Sequence, residues 1–255
     1  MHNPVASERN PLLTLMTQPM TDAVPSVREV RAHFDGDAHS KSTFKGIALF
    51  VISLIPYAAG FIGFLLLPGW WLKAASAALF TIAIPMLFIV GHDACHQALT
   101  RHGWLNKTIG RICFLPSWHA YAVWDYGHNG LHHGWTNVRG KDLVWAPLTK
   151  ADYDALSPVG RFLQRIYRTS LGVGIYYLIE MWAIFGMTHA KAKSAKTNRL
   201  ILIDRLSVVA FVIASAASIF FLARRDGLGS NPWLVSAGLL LLVLIVPFLL
   251  WNWLM

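Results

Sequence analysis

From Gly46 to Leu67 the chain runs without a charged residue, and after Pro68-Gly69 and Trp70-Trp71 a second apolar run, Leu72 to Val90, follows. At about 1.5 Å of rise per residue, runs of this length cross a hydrocarbon core of about 30 Å as helices. The Pro-Gly turn and the interfacial tryptophan pair make the two a hairpin, with Pro56 a place for a kink and Lys73 free to snorkel. Leu206–Leu222 and Trp233–Leu250 repeat the pattern around a polar connection containing Arg224, Arg225 and Asp226. The sequence therefore predicts an all-α integral membrane fold: four transmembrane helices near 46–67, 72–90, 206–222 and 233–250, paired as two hairpins.

Composition agrees, since 55% of the 255 residues are hydrophobic and 14% charged, with a mean hydropathy of +0.46, too apolar for an ordinary soluble domain. The net charge of +9 does not point to nucleic acid, because the basic residues flank apolar spans. Residues 1–45 hold 5 Lys and Arg and residues 91–205 hold 14, against 3 (Lys73, Arg224, Arg225) on the other face. The positive-inside rule then places the N-terminus and the long 91–205 region in the cytoplasm. Cys95 and Cys113 form no paired ladder, which fits a reduced, cytosol-facing site. Residues 1–45 lack a secretory apolar core and read as a mobile cytosolic arm. Within 91–205, Ile109–Val123 and Leu171–Gly186 are expected to be helices lying in the membrane interface.

Seven of the eleven histidines fall between Gly91 and Asn137. His92 and His96 are four residues apart, which on an α-helix puts both imidazoles on one face; His128 and His132 repeat that relation, and His133 lies about 100° round. Two such motifs in so apolar a chain point to metal ligation. Imidazoles suit iron, zinc or copper, and five exceed the needs of one four-coordinate zinc, which favours two metals. Asp93, Asn137 and Asp142 are candidates to hold a ligand imidazole in its tautomer. Cys95 is assigned to packing, His102 and His119 to ordinary interfacial positions, and His189 to solvent. The first motif reads HDACH, without the glutamate of HExxH, which argues against a zinc protease.

Gly91-His92-Asp93-Ala94-Cys95-His96, the run His128-Asn129-Gly130-Leu131-His132-His133-Gly134-Trp135-Thr136-Asn137, and Lys141-Asp142 before Val144-Trp145-Ala146-Pro147 resemble the histidine boxes of membrane fatty acid desaturases. The likeness is strongest to bacterial members of the acyl-lipid type and covers residues 46–255. It implies a cytosolic di-iron centre, use of molecular oxygen, electrons from a ferredoxin or a cytochrome b5-like protein, and removal of two hydrogens from adjacent methylenes of an acyl chain carried by lipid, coenzyme A or acyl carrier protein. It implies ligand roles for His92, His96, His128, His132 and His133. Asp125 stands where many members have arginine. The family's third histidine box is not among these residues, so the expectation is of a chain truncated before it, whose activity by itself is doubtful. A hydroxylase or ketolase of the same superfamily shares the hydrogen abstraction, and a non-catalytic membrane relative is the reading from a different class.

Overall fold

A computed structural model describes residues 26–33, 40–142, 144, 148–225 and 232–254. Most of the expected N-terminal arm lies outside the described residues; within it, Val27–Ala32 forms a short helix, α1, in a separate unit that ends at Ser40. Residues 41–255 make the second unit, whose regular elements among the described residues are all helices.

α2 (Thr43–Leu66) and α3 (Trp70–Cys95) cover the first two apolar runs as long helices. Ser42 starts α2 by accepting the Lys45 N–H, and Gly69 closes the turn at φ +78°. The pair packs backbone to backbone: a Cβ on Gly60 would lie 2.7 Å from the Phe80 nitrogen and 2.8 Å from the Ser76 carbonyl oxygen, the small-residue contact that helices use in lipid. Lys73 does not snorkel outward. It is buried, and its Nζ donates to the Phe64 carbonyl at 3.0 Å, satisfying an orphan acceptor at the end of α2.

α3 does not stop at the end of the apolar run; it carries on through His92 to Cys95. α4 (Gly103–Phe114) follows, then α5 (Tyr121–Trp124), a π-helical stretch π1 (Asp125–His132) and the short α6 (His133–Trp135). The single helix expected over 109–123 is corrected here: α4 ends at Phe114. Pro116 disfavours the helical conformation at the residue before it, and Trp118 turns the chain at φ +59°.

Beyond the second histidine motif come α7 (Lys150–Ala155), α8 (Pro158–Tyr167), α9 (Gly172–Tyr176) and a second π-helical stretch, π2 (Tyr177–His189). α10 (Ala195–Arg225) starts well before the apolar run it contains. The last segment is helical in three continuous pieces, α11 (Pro232–Leu240), π3 (Leu241–Ile245) and α12 (Val246–Leu254).

Among the described residues three helices are long and apolar enough to cross a membrane, Thr43–Leu66, Trp70–Cys95 and Ala195–Leu222, with a shorter apolar stretch at Ala237–Trp251. Phe64, Phe80, Ile219, Leu222, Leu239 and Val243 tie all four together in one buried cluster. A second cluster, Phe88, Cys95, Phe114 and Tyr121, lies beside the histidines.

Candidate metal centre

The end of α3 supplies His92 inside the helix and His96 as its C-cap. Facing them, π1 supplies His128 and ends at His132, and α6 opens at His133. Three Nε2 atoms converge, His92 lying 2.9 Å from His128 and 3.1 Å from His96, and His133 Nε2 adjoins His128 at 3.1 Å. Ring nitrogens of His92, His96 and His128 all lie within 4.8 Å of one another.

Such spacing suits one ion. Nitrogens about 2.1 Å from a metal and about 90° apart sit about 3.0 Å from each other. Two of the donors are held neutral. Burial, and then the charges of His92, His133, His96 and His132, push His128 down to about 3; burial, then His92 and His133, holds His96 below its ordinary value. Neutral imidazoles offer lone pairs to a metal at physiological pH.

The phase of the second motif differs from the α-helical expectation. In π1 the hydrogen-bond period lengthens to i→i+5, so His128 pairs with His133, ring centroids 4.6 Å apart, and His132 is turned out of the convergent set. His132 Nδ1 instead lies 2.9 Å from Asp142 Oδ1. A carboxylate can only accept, so Nδ1 carries the proton and Nε2 keeps its lone pair. Asp142 is 1% exposed. Burial alone would raise its carboxyl, but hydrogen bonds from His132 and from the Asn137 and Val144 N–H groups outweigh it and hold it below the ordinary value.

The other two carboxamide and carboxylate candidates behave differently. Asp93 is exposed and only 3.5 Å from His92 Nδ1. Asn137 contributes its backbone N–H, 2.8 Å from Asp142 Oδ2, in a turn at φ +62°.

Several residues that the spacing did not single out build the site. Trp124 stacks on His128 with centroids 4.8 Å apart. Asp125 accepts from Asn129 at 2.8 Å, and Asn129 also donates to the Cys95 carbonyl at 3.0 Å, pinning π1 to the end of α3. Cys95 itself is buried, its thiol 3.8 Å from Asp125. Asp204, on α10, accepts from Arg111 Nε and from the Ala122 N–H, each at 2.8 Å, and so fixes the start of the helix that carries His128. The sequence signal for Asp204 is a carboxylate placed just before an apolar span, a position where an unpaired charge is costly.

His119 is not an ordinary interfacial histidine. It is buried, its Nδ1 2.7 Å from the Ser117 carbonyl and its Nε2 3.1 Å from the Tyr177 hydroxyl. The carbonyl fixes the proton on Nδ1, so Nε2 accepts from Tyr177. Burial pushes the ring down to about 4.

Two spaces meet at the cluster. On one side an apolar cavity of about 420 Å³ is lined by Phe88, Trp124, Met181, Trp182, Phe185 and Trp251, with His92, His128 and His132 at its wall. The other is an open cleft of about 510 Å³, lined by His96, His133, Gln97, Lys107, Asp125 and Asn129.

Known proteins carry the same region. The sn-1 oleoyl-lipid 12-desaturase of Picosynechococcus sp. is 32% identical over 126 residues, 49% of this chain and 31% of that protein. The enzyme of the same name from Arthrospira platensis is 31% identical over 124 residues, 49% and 34% of the two chains. A longer match, 26% over 176 residues, or 67% and 47%, is to the sn-1 acyl-lipid omega-3 desaturase (ferredoxin) of Nostoc sp.. The matched stretches span about a third to a half of these relatives. The model of the family described as fatty acid desaturase matches residues 68–255, so the chain belongs to the fatty acid desaturase family.

Proposed function

We propose that this chain is an iron-binding membrane acyl-lipid desaturase, forming a double bond in a lipid-borne acyl chain. The observation that carries this reading is the convergence of the His92, His96 and His128 imidazoles beside an apolar cavity. His92, His96 and His128 would hold one iron, and His133, beside His128, and His132, its tautomer set by Asp142, are the imidazoles left for a second. When bound, a di-iron centre supplies the activation of molecular oxygen and the abstraction of hydrogen from a methylene.

The rest is work for the chain's own side chains. The cavity wall of Phe88, Trp124, Trp182 and Phe185 excludes water and accepts methylenes, whose burial is favourable by about 0.8 kcal/mol per CH₂. Trp118, stacked on Phe248 with centroids 4.2 Å apart and held by the Trp182 indole N–H at 2.8 Å, stiffens that wall. Asp142 orients His132, and Asp125 with Asn129 holds the two motif helices in register. The open cleft gives an electron carrier, a ferredoxin or a cytochrome b5-like protein, an approach separate from the substrate's.

The chain crosses the membrane four times as two hairpins, Ala237–Trp251 lying in the fourth crossing, with the histidines on the cytoplasmic face of a bacterial inner membrane; the distribution of Lys and Arg supports this orientation. The test is expression of the protein in a host that lacks the double bond, with iron analysis and lipid product analysis. Two irons per chain and a new double bond are expected. An alcohol or ketone in place of the alkene would assign the chemistry to a hydroxylase or ketolase instead.

A further inference from the structure

The apolar cavity beside the histidines runs inward from them. Phe88 lies one turn before His92, about 6 Å down the same helix and within the apolar run. His119 rests edge-on against Phe88, ring centroids 5.1 Å apart. Trp118, the residue before it, meets Phe248, which belongs to the apolar stretch Ala237–Trp251. Along the lining segment from Trp118 to His132, Trp118 therefore stands at the end away from the motif histidines, on the side of the apolar spans.

Trp118 is held there at a backbone cost. Its φ of +59° lies in the left-handed region, where a bulky side chain is an outlier that persists only when its surroundings fix it. Three contacts do so. Its N–H donates to the Leu115 carbonyl at 3.0 Å, its carbonyl accepts the Trp182 indole N–H at 2.8 Å, and its ring stacks on Phe248 with centroids 4.2 Å apart. Trp182 meets Phe248 edge-on at 4.6 Å, which closes the three rings on one another. Trp118 and Trp182 line the cavity, and Phe248 is buried behind them.

We infer, resting on the acyl-lipid desaturase reading, that Trp118 is the stop against which the methyl end of the acyl chain comes to rest. A lipid's ester stays at the headgroup layer, where α3 leaves the apolar run, so the acyl chain enters methyl end first and passes the histidines on its way to Trp118. The ring then fixes how many carbons lie beyond the histidines, and with it which methylenes stand beside them. Carbons are counted from the methyl end, and the length on the ester side is free to vary.

The substitution W118G isolates the ring, since glycine adopts a positive φ without strain. The metal-free full chain is placed in nanodiscs of phosphatidylcholines graded in sn-1 acyl length and transferred to mild detergent, and the retained lipid is measured by mass spectrometry. Wild type should favour acyl chains up to one length, each seated methylene adding about fourfold to retention. W118G should move that limit up by about two carbons or more, into the space the indole leaves. W182F, which keeps a ring but loses the N–H tie, should blur the limit. If W118G does not fold, W118F is read in its place, with a smaller move in the same direction.

In a host that lacks the double bond, wild type should place it at one distance from the methyl end across acyl lengths, and W118G should lengthen that distance. A retention profile that the folded Trp118 variant leaves unchanged, or a double bond held at one distance from the ester as acyl length varies, would overturn the proposal. A wild type that forms no double bond would instead remove the desaturase reading, and the retention profile would still decide the stop.

Discussion

Asp142 Oδ1 lies 2.9 Å from His132 Nδ1 while its Oδ2 accepts the Asn137 N–H at 2.8 Å, so one buried carboxylate orients a site imidazole and closes the turn behind it. D142A is expected to lower iron affinity by about 10–100-fold, the usual cost of losing a carboxylate behind a ligand histidine. D142N, which keeps an acceptor oxygen, should lose less. Iron per chain after dialysis against a chelator ranks the two. Because hydrogen bonding holds the Asp142 carboxyl below its ordinary value, its contribution to stability is present above the unfolded pKa of about 3.9 and is lost as pH falls through and below it.

His128 is the hub of the convergent set, with His92 at 2.9 Å and His133 at 3.1 Å. H128A should therefore reduce bound iron more than H132A, whose Nδ1 is directed at Asp142 and whose ring lies 5.5 Å from that of His128. Iron analysis of the two purified variants decides this, and equal losses would mean that the π-helical phase does not set the ligand order.

Acid should destabilise the metal-free chain. His128 is pushed down to about 3 and His119 to about 4, so between about 6.5 and these values the unfolded chain binds more protons than the folded one. Stability should be flat above about pH 7 and fall steadily below about pH 6.5. Thermal unfolding in detergent across that range measures the slope, which H128A should make shallower.

Removing the Asp204 carboxylate leaves Arg111 and the Ala122 N–H without their acceptor. D204A is expected to cost about 2–4 kcal/mol, in the range for breaking a buried, hydrogen-bonded ion pair, and D204N less. The readout beyond stability is iron content, since the tie fixes the start of the helix that bears His128.

The two-hairpin arrangement makes a sidedness prediction. A cysteine at Trp71, which is 89% exposed in the first hairpin turn, should react with an impermeant thiol reagent from outside the cell, and one at Asp154 only after the membrane is opened. Labelling of both from the same side would remove the proposed topology.

What the sequence by itself determined was set by local chemistry. Long apolar runs at Gly46–Leu67 and Leu72–Val90 become α2 and α3 because a helix is the way to satisfy a lone backbone segment in lipid. Histidine spacing and neighbours were enough to find the metal-binding residue types and the family. The tertiary structure alone decided which imidazoles meet. Four-residue spacing implied His128 with His132, but π1 carries a longer period and brings His128 to His133. It also joined partners far apart in the chain, Arg111 with Asp204 and His119 with Tyr177, and turned Lys73 inward onto the Phe64 carbonyl. Those choices depend on packing between segments, where burial makes an unmet hydrogen bond costly, and periodicity along one segment carries no record of them.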